Sequence, residues 1–209
     1  LVSAILRRFN ERINMKAENF IRTWTTLDHQ VCDGIIDYFW DNKKEHMDGV
    51  IGQQGNQWKL DYNRKESIDM SVRLHEVYQI PCFQWYEKHL NNCLKDYVDE
   101  FPSIHELCQF GLLAPFNIQY YKPNGGYKVE HCERTGYLDS SIKRAFVFMT
   151  YLNDVPKGGT TFRYFDHTET AVKGKTVIWS SDGTHTHVGQ ITKKHEKYIL
   201  TGWLTYNWE

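Results

Sequence analysis

The chain lacks paired cysteines, an excess of charge of either sign, and any long apolar run, and each absence removes a class of protein. Its five cysteines, Cys32, Cys82, Cys93, Cys108 and Cys132, form no CxxC pair and no regular framework. An odd, scattered set argues against a disulfide scaffold or a cysteine-held zinc site, and reads as reduced thiols in a cytoplasmic chain. Lys and Arg number 25 against 26 Asp and Glu. With the charges this balanced, no field argues for nucleic acid or a membrane surface as a partner. No apolar run approaches the ~18 residues of a membrane span. Residues 1–14 lack the apolar core and small-residue cleavage site of a signal peptide, and read as an extension with no assigned role. No repeat and no linker divides the rest.

What is present suffices for one core. Hydrophobic residues make up 41% and aromatics 15% of 209 residues, which fits a single domain or a domain with an extension. The first half reads as helical. Thr26 or Asp28 caps a predicted helix running to about Asn42, with Val31, Cys32, Ile35, Ile36, Phe39 and Trp40 on one stripe. Asp48 to Lys65 is polar and glycine-containing, and reads as a loop or a weak hairpin. A second helix is predicted from Pro81 to Pro102, where Cys82, Phe83, Tyr86, Leu90, Leu94, Tyr97, Val98 and Phe101 recur at helical spacing. Such stripes are ordinary core.

From Pro115 the pattern changes. Short β-branched and aromatic runs are predicted as strands at 117–122, 127–133, 145–152, 160–164, 176–180, 185–189 and 198–207. Turns such as Pro123-Asn124-Gly125-Gly126 and Lys157-Gly158-Gly159 separate them. Many short strands at close spacing argue a β-sandwich or barrel. A jelly roll is the natural candidate, with the N-terminal helices buttressing one sheet, an α+β arrangement.

The chemistry-bearing pattern is His131-Cys132-Glu133, then His187, then Lys197. In a strand, residues i and i+2 share a face, so His131 and Glu133 can grip one ion while Cys132 points away. A histidine from a distant strand completes a 2-His-1-carboxylate triad, which suits Fe(II) and oxygen chemistry. His185 competes with His187 for that third place, and the ten-residue gap to Lys197 favours His187. Lys197 precedes the apolar run Tyr198-Ile199-Leu200, so its side chain can enter the barrel. A buried lysine is costly unless paired, and an anionic cosubstrate would pair it. Each residue also has a plainer reading. The histidines can be surface strand residues, Glu133 a solvated carboxylate, Tyr121 a strand aromatic and His195 a loop residue. Trp179 and Trp203 read as core or pocket wall, while Arg144 and Asn153 divide evenly between structural and functional roles.

Several further pieces lie in order around this pattern. They are Tyr121-Lys122-Pro123 with Gly125-Gly126-Tyr127, Arg144 ahead of Tyr151-Leu152-Asn153-Asp154-Val155, Gly158-Gly159-Thr160-Thr161-Phe162, His187-Val188-Gly189, and Lys197-Tyr198 with Trp203. Together they resemble the prolyl 4-hydroxylase-like branch of the Fe(II)- and 2-oxoglutarate-dependent oxygenases, over roughly 117–208. The resemblance implies a double-stranded β-helix, with residues 115–209 as the jelly-roll core, 15–114 as mainly helical support, and 15–209 as one oxygenase domain. It implies His131, Glu133 and His187 as metal ligands and catalytic centre, Lys197 as the 2-oxoglutarate lysine, and Tyr121 as a cosubstrate contact. The implied cofactors are Fe(II), 2-oxoglutarate and O2, with ascorbate in support. The implied activity is C–H hydroxylation, with 2-oxoglutarate converted to succinate and CO2. The substrate would be a peptidyl proline first, with a small amino-acid-like molecule open. The chain departs from the family in one place: the usual HxD is HxE here. Three alternatives remain: a jelly-roll metal protein of another chemistry, a silent binding module on the same fold, and a nucleic-acid demethylase, which the near-neutral charge disfavours.

Overall fold

The computed structural model describes residues 18–51, 53–54, 57–135 and 139–207. The extension at 1–14 lies outside the described residues. Two long helices occupy the N-terminal half, α1 (His29–Asp41) and α2 (Pro81–Glu100), beside the short helices Leu74–Val77 and Ser103–Leu107. The Asp28 carboxylate caps α1 by accepting from the Gln30 N–H at 2.9 Å, which satisfies one of the donors left orphaned in the first turn. Pro81 opens α2, where its missing N–H costs nothing. The buried residues Phe83, Tyr86, Leu90, Cys93 and Tyr97 of α2 keep the helical spacing read from the sequence.

The strands are β1 (Arg22–Trp24), β2 (Met47–Asp48), β3 (Gln53–Gln54), β4 (Gln57–Trp58), β5 (Lys65–Glu66), β6 (Ile68–Val72), β7 (Phe110–Gly111), β8 (Phe116–Tyr121), β9 (Gly126–Tyr127), β10 (Arg144–Tyr151), β11 (Val155–Phe162), β12 (His167–Ala171), β13 (Thr176–Ser180), β14 (His187–Gly189) and β15 (Lys197–Tyr206). The large antiparallel sheet runs β1-β13-β10-β15-β8-β6-β2, with β7 also on β15. A smaller sheet, β12-β11-β14, faces it. The two form a double-stranded β-helix.

Strand alternation decides where the site lies. Phe116, Ile118, Phe146, Phe148, Ile178, Leu200 and Leu204 join one apolar cluster with Cys32, Ile35 and Phe39 of α1 and the buried face of α2. Their neighbours Tyr121, Val147, Met149, Tyr151, Val177, Trp179 and Ile199 form a second cluster with Phe162 of the smaller sheet. The helices therefore seal one face of the large sheet, and the other face is left for chemistry.

Three departures from the sequence expectations bear on the site. Lys157-Gly158-Gly159 is not a turn but lies within β11, where Lys157 takes a left-handed φ of 58° and the pairing to β12 shifts register between Val155 and Thr160. Glycine at 159 is required by close approach, because a Cβ there would meet the Glu169 carbonyl oxygen at 1.7 Å. Residues 127–133 form no continuous strand. Only Gly126–Tyr127 pairs, with β5, and His131 makes an isolated bridge to His187. The predicted strand at 185–189 begins at His187, because Gly183–His185 is a short 3-10 turn.

Candidate active site

The segment carrying His131 and Glu133 is irregular, yet its backbone is held at each step. His131 and His187 exchange N–H···O bonds of 3.0 and 2.9 Å. The Glu133 and Arg134 N–H groups both donate to the Ser181 carbonyl, at 3.0 and 2.8 Å. Ser181 is in turn tied to β10, its N–H and hydroxyl both donating to the Ala145 carbonyl. The sequence argument put His131 and Glu133 on one strand face; in the structure tertiary backbone bonds, not strand alternation, bring the two together.

The ligand atoms of His131, Glu133 and His187 all lie within 4.8 Å of one another. The two Nε2 atoms are 3.3 and 3.8 Å from Glu133 Oε1. The far side of each ring is occupied: His131 Nδ1 lies 3.1 Å from the Val129 carbonyl, and His187 Nδ1 lies 2.8 Å from the His185 carbonyl. A carbonyl only accepts, so each Nδ1 carries a hydrogen and each Nε2 faces Glu133 Oε1, where a metal would be held. Tyr127 stacks on the His131 ring at 3.6 Å between centroids, and Trp179 meets the His187 ring edge-on at 5.1 Å. Burial, with His131 beside it, pushes the His187 pKa down to about 4, so the ring is neutral at neutral pH. Burial pushes the Glu133 carboxyl up. The hydrogen bond from His131 and the neighbouring His131, His187 and Arg144 outweigh that effect and hold it well below the usual carboxylate range. Two imidazoles and one carboxylate are a donor set that suits a divalent iron.

Lys197 opens β15 opposite Tyr121 of β8 and is only 6% exposed. Its ammonium donates to the Gly158 and Gln190 carbonyls, both at 3.1 Å, and lies 5.1 Å from the Tyr121 ring centre. Among the described residues no carboxylate pairs with it. Burial lowers its pKa to about 8. The ammonium, the triad and Tyr121 line one cavity of about 1120 Å³, at or beyond the ~300–1,000 Å³ of ordinary ligand pockets. Among the described residues the buried Trp179 indole N–H, on the same wall, has no acceptor. A cation without a counter-ion and a donor without an acceptor both fit an oxygen-rich anionic ligand beside a metal.

The other residues marked in the sequence divide clearly. His185 does not join the triad, because its Nε2 lies 2.8 Å from the Asn19 carbonyl. Asn153 is structural: its amide donates to the Glu196 carbonyl and accepts from the Tyr198 N–H. His195 is exposed on a loop. The Tyr121 hydroxyl donates to Gln119 Oε1 at 2.5 Å. Gln119 in turn donates to Asp69, which is paired with Lys65 at 2.6 Å. Sequence reasoning missed this polar wall, although the i, i+2 spacing of Gln119 and Tyr121 signals it. It read Trp203 as core or pocket wall and left Arg144 evenly divided; both contact Glu133.

A two-sheet β-helix holding such a triad at its mouth defines a jelly-roll metalloprotein scaffold. The sequence is more particular: residues 116–205 match the model of the 2OG-Fe(II) oxygenase superfamily. That segment is similar to domains of the superfamily, whose description specifies 2-oxoglutarate and Fe(II). Among solved structures it is similar to a Pseudomonas putida prolyl-4-hydroxylase, at 14% identity and TM-score 0.66, with 91% of this chain and 94% of that one covered. A viral collagen prolyl hydroxylase from Paramecium Bursaria Chlorella virus-1, solved with 2OG, matches at 17% identity and TM-score 0.66, over 91% and 98%. A Trichoplax adhaerens prolyl hydroxylase, solved with a hypoxia inducible factor peptide fragment, matches at 13% identity and TM-score 0.65, over 96% and 92%. No curated protein matches the sequence. Among the described residues no helix is long and apolar enough to cross a membrane.

One prediction follows from the lysine alone. Only the ammonium form of Lys197 pairs with an anion, and burial sets its pKa near 8. Affinity for 2-oxoglutarate should therefore be level below that pH and fall above it, approaching ~tenfold per pH unit for one linked proton. Calorimetry across the alkaline range reads this directly. An affinity that stays level well above pH 8 would mean that Lys197 is not the anion's partner.

Proposed function

We propose that the chain is a prolyl-hydroxylase-like 2-oxoglutarate dioxygenase that hydroxylates a peptide substrate, with His131, Glu133 and His187 holding Fe(II) and Lys197 with Tyr121 receiving the cosubstrate. The observation that carries this reading is the pairing, in one cavity, of a three-donor cluster with a buried ammonium that has no carboxylate partner. When bound, Fe(II) with 2-oxoglutarate and O2 supplies the oxidising chemistry, with succinate and CO2 released. The protein's part is binding, orientation and shielding. Lys197 holds the distal carboxylate in a charge-assisted contact. Burial first, with nearby negative charges, raises the Tyr121 phenol well above its usual pKa, so it stays protonated, its hydrogen resting on Gln119 Oε1. The Val129 and His185 carbonyls keep both rings in the tautomer that presents Nε2. Tyr127, Phe162 and Trp179 wall the cluster with aromatic surface.

A peptide is favoured over a free amino acid by the shape of the cavity. Its lining also includes Met47, Val50, Ile51 and Leu60, of which Met47 and Leu60 are exposed, and its volume is more than a small dicarboxylate needs. The Trichoplax prolyl hydroxylase, which is similar in fold, was solved with a peptide fragment. The test is turnover with Fe(II), 2-oxoglutarate and ascorbate against proline-containing peptides and free amino acids. The expected result is a gain of one oxygen on peptide, matched by succinate. Oxygen transfer to a free amino acid alone would replace the substrate class. Metal binding without succinate would point to a metal protein of another chemistry.

A further inference from the structure

We infer that Trp203 and Arg144 are positioning residues that confine Glu133 to binding the metal through one oxygen. The inference rests on the metal reading above and deepens it. Glu133 Oε1 faces the two histidine Nε2 atoms. Oε2 is turned away and accepts from the Trp203 indole N–H at 3.0 Å. Arg144 Nη1 donates to the Glu133 backbone carbonyl at 2.9 Å and lies 3.4 Å from Oε2. Its guanidinium stacks on Trp203, 3.5 Å from the ring centre, so the two donors brace each other. Arg144 begins β10 at a register shift against β15, which carries Trp203. Irregularities of this kind re-aim side chains at sites.

The arrangement matters because of the extra methylene in Glu133. Carboxylates bind hard cations through one oxygen or two, and glutamate has one more rotatable bond than aspartate with which to bring both oxygens to bear. A facial triad works by leaving half of an octahedral ion's positions open, for a chelating cosubstrate and for oxygen. A second carboxylate oxygen on the metal would take one of them. Pinning Oε2 on Trp203 and Arg144 keeps that position free, and makes a glutamate serve where a shorter aspartate would otherwise stand.

The experiment uses the full chain loaded with Co(II), whose visible absorption reports coordination number, and compares parent with Trp203→Phe. Tight Co(II) binding should persist in the variant and its absorption should change. In the Fe(II) enzyme the KM for O2 should rise roughly tenfold, the equivalent of ~1.4 kcal/mol, while 2-oxoglutarate affinity stays near the parent value. Repeating the change in a Glu133→Asp background should alter neither the spectrum nor the O2 dependence, because the shorter side chain does not need the restraint. That background also separates positioning from a general packing defect, which would appear in both. An unchanged spectrum in Trp203→Phe, or equal changes in the two backgrounds, overturns the inference and leaves the metal reading intact. A parent chain that binds no Co(II) overturns both.

Discussion

Lys197→Ala should lower the affinity for 2-oxoglutarate by roughly 30- to 4000-fold while leaving metal binding in place. The range comes from truncating one partner of a desolvated charge pair, which costs ~2–5 kcal/mol at ~1.4 kcal/mol per tenfold. Much of that cost is the anion left without a counter-charge. The Gly158 and Gln190 carbonyls that now accept from the ammonium would also lose their donor. Lys197→Arg should fall between the two, since the charge remains but a planar fork does not reproduce a compact ammonium between two carbonyls. A 2-oxo acid with a shorter tail, whose far carboxylate does not reach Lys197, should lose less from the Ala change. The measurement is cosubstrate affinity by calorimetry, with metal content checked separately. Unchanged affinity at full metal loading would remove Lys197 from the cosubstrate site and favour a different chemistry on the same jelly roll.

This outcome is sharp because the lysine was legible in the sequence for a physical reason. It stands before an apolar strand, where its alternation places it inside. The helices were legible for a similar reason: their apolar stripes face one sheet and nothing else competes for them. Other parts were hidden. β12 reads His167-Thr168-Glu169-Thr170-Ala171 with Glu169 turned inward, so no apolar alternation marks it. By contrast β6 does alternate, Ile68, Met70 and Val72 against Asp69 and Ser71, and is passed over in a half that otherwise reads as helical. The Gly158-Gly159 pair reads as a turn, but its real constraint is the passage of the Glu169 carbonyl, a neighbour far along the chain. The Trp203 and Arg144 contacts to Glu133 are also tertiary. No local spacing joins an indole on one strand, a guanidinium at a bulge and a carboxylate in an irregular segment. The HxE variation was visible from the start, but what restrains the longer side chain was not.

His185 and His187 carry the remaining large prediction, because the sequence allowed either as the third donor and the structure separates them. His187 presents Nε2 toward Glu133 Oε1 at 3.8 Å. His185 is buried, its Nε2 against the Asn19 carbonyl at 2.8 Å and its Nδ1 against the Thr184 hydroxyl at 2.9 Å. A divalent metal at a hundredfold excess over its Kd should stabilise the parent by ~2.7 kcal/mol. For a chain of this size, that raises the melting temperature by ~5–11 °C at ~2–4 °C per kcal/mol. Mn(II) under anaerobic conditions is a suitable probe, since it binds the same nitrogen and oxygen donors without turnover. His187→Ala and His131→Ala should each abolish the metal-dependent rise and all succinate formation. Losing a direct donor should exceed the 10–100-fold cost of losing a residue that only orients one. His185→Ala should lower the metal-free melting temperature, because two buried hydrogen bonds go with it, yet keep the metal-dependent rise in full. The sign of the difference decides the assignment: a rise that survives His187→Ala and vanishes in His185→Ala would transfer the third ligand to His185 and require the 183–189 segment to rearrange on binding metal.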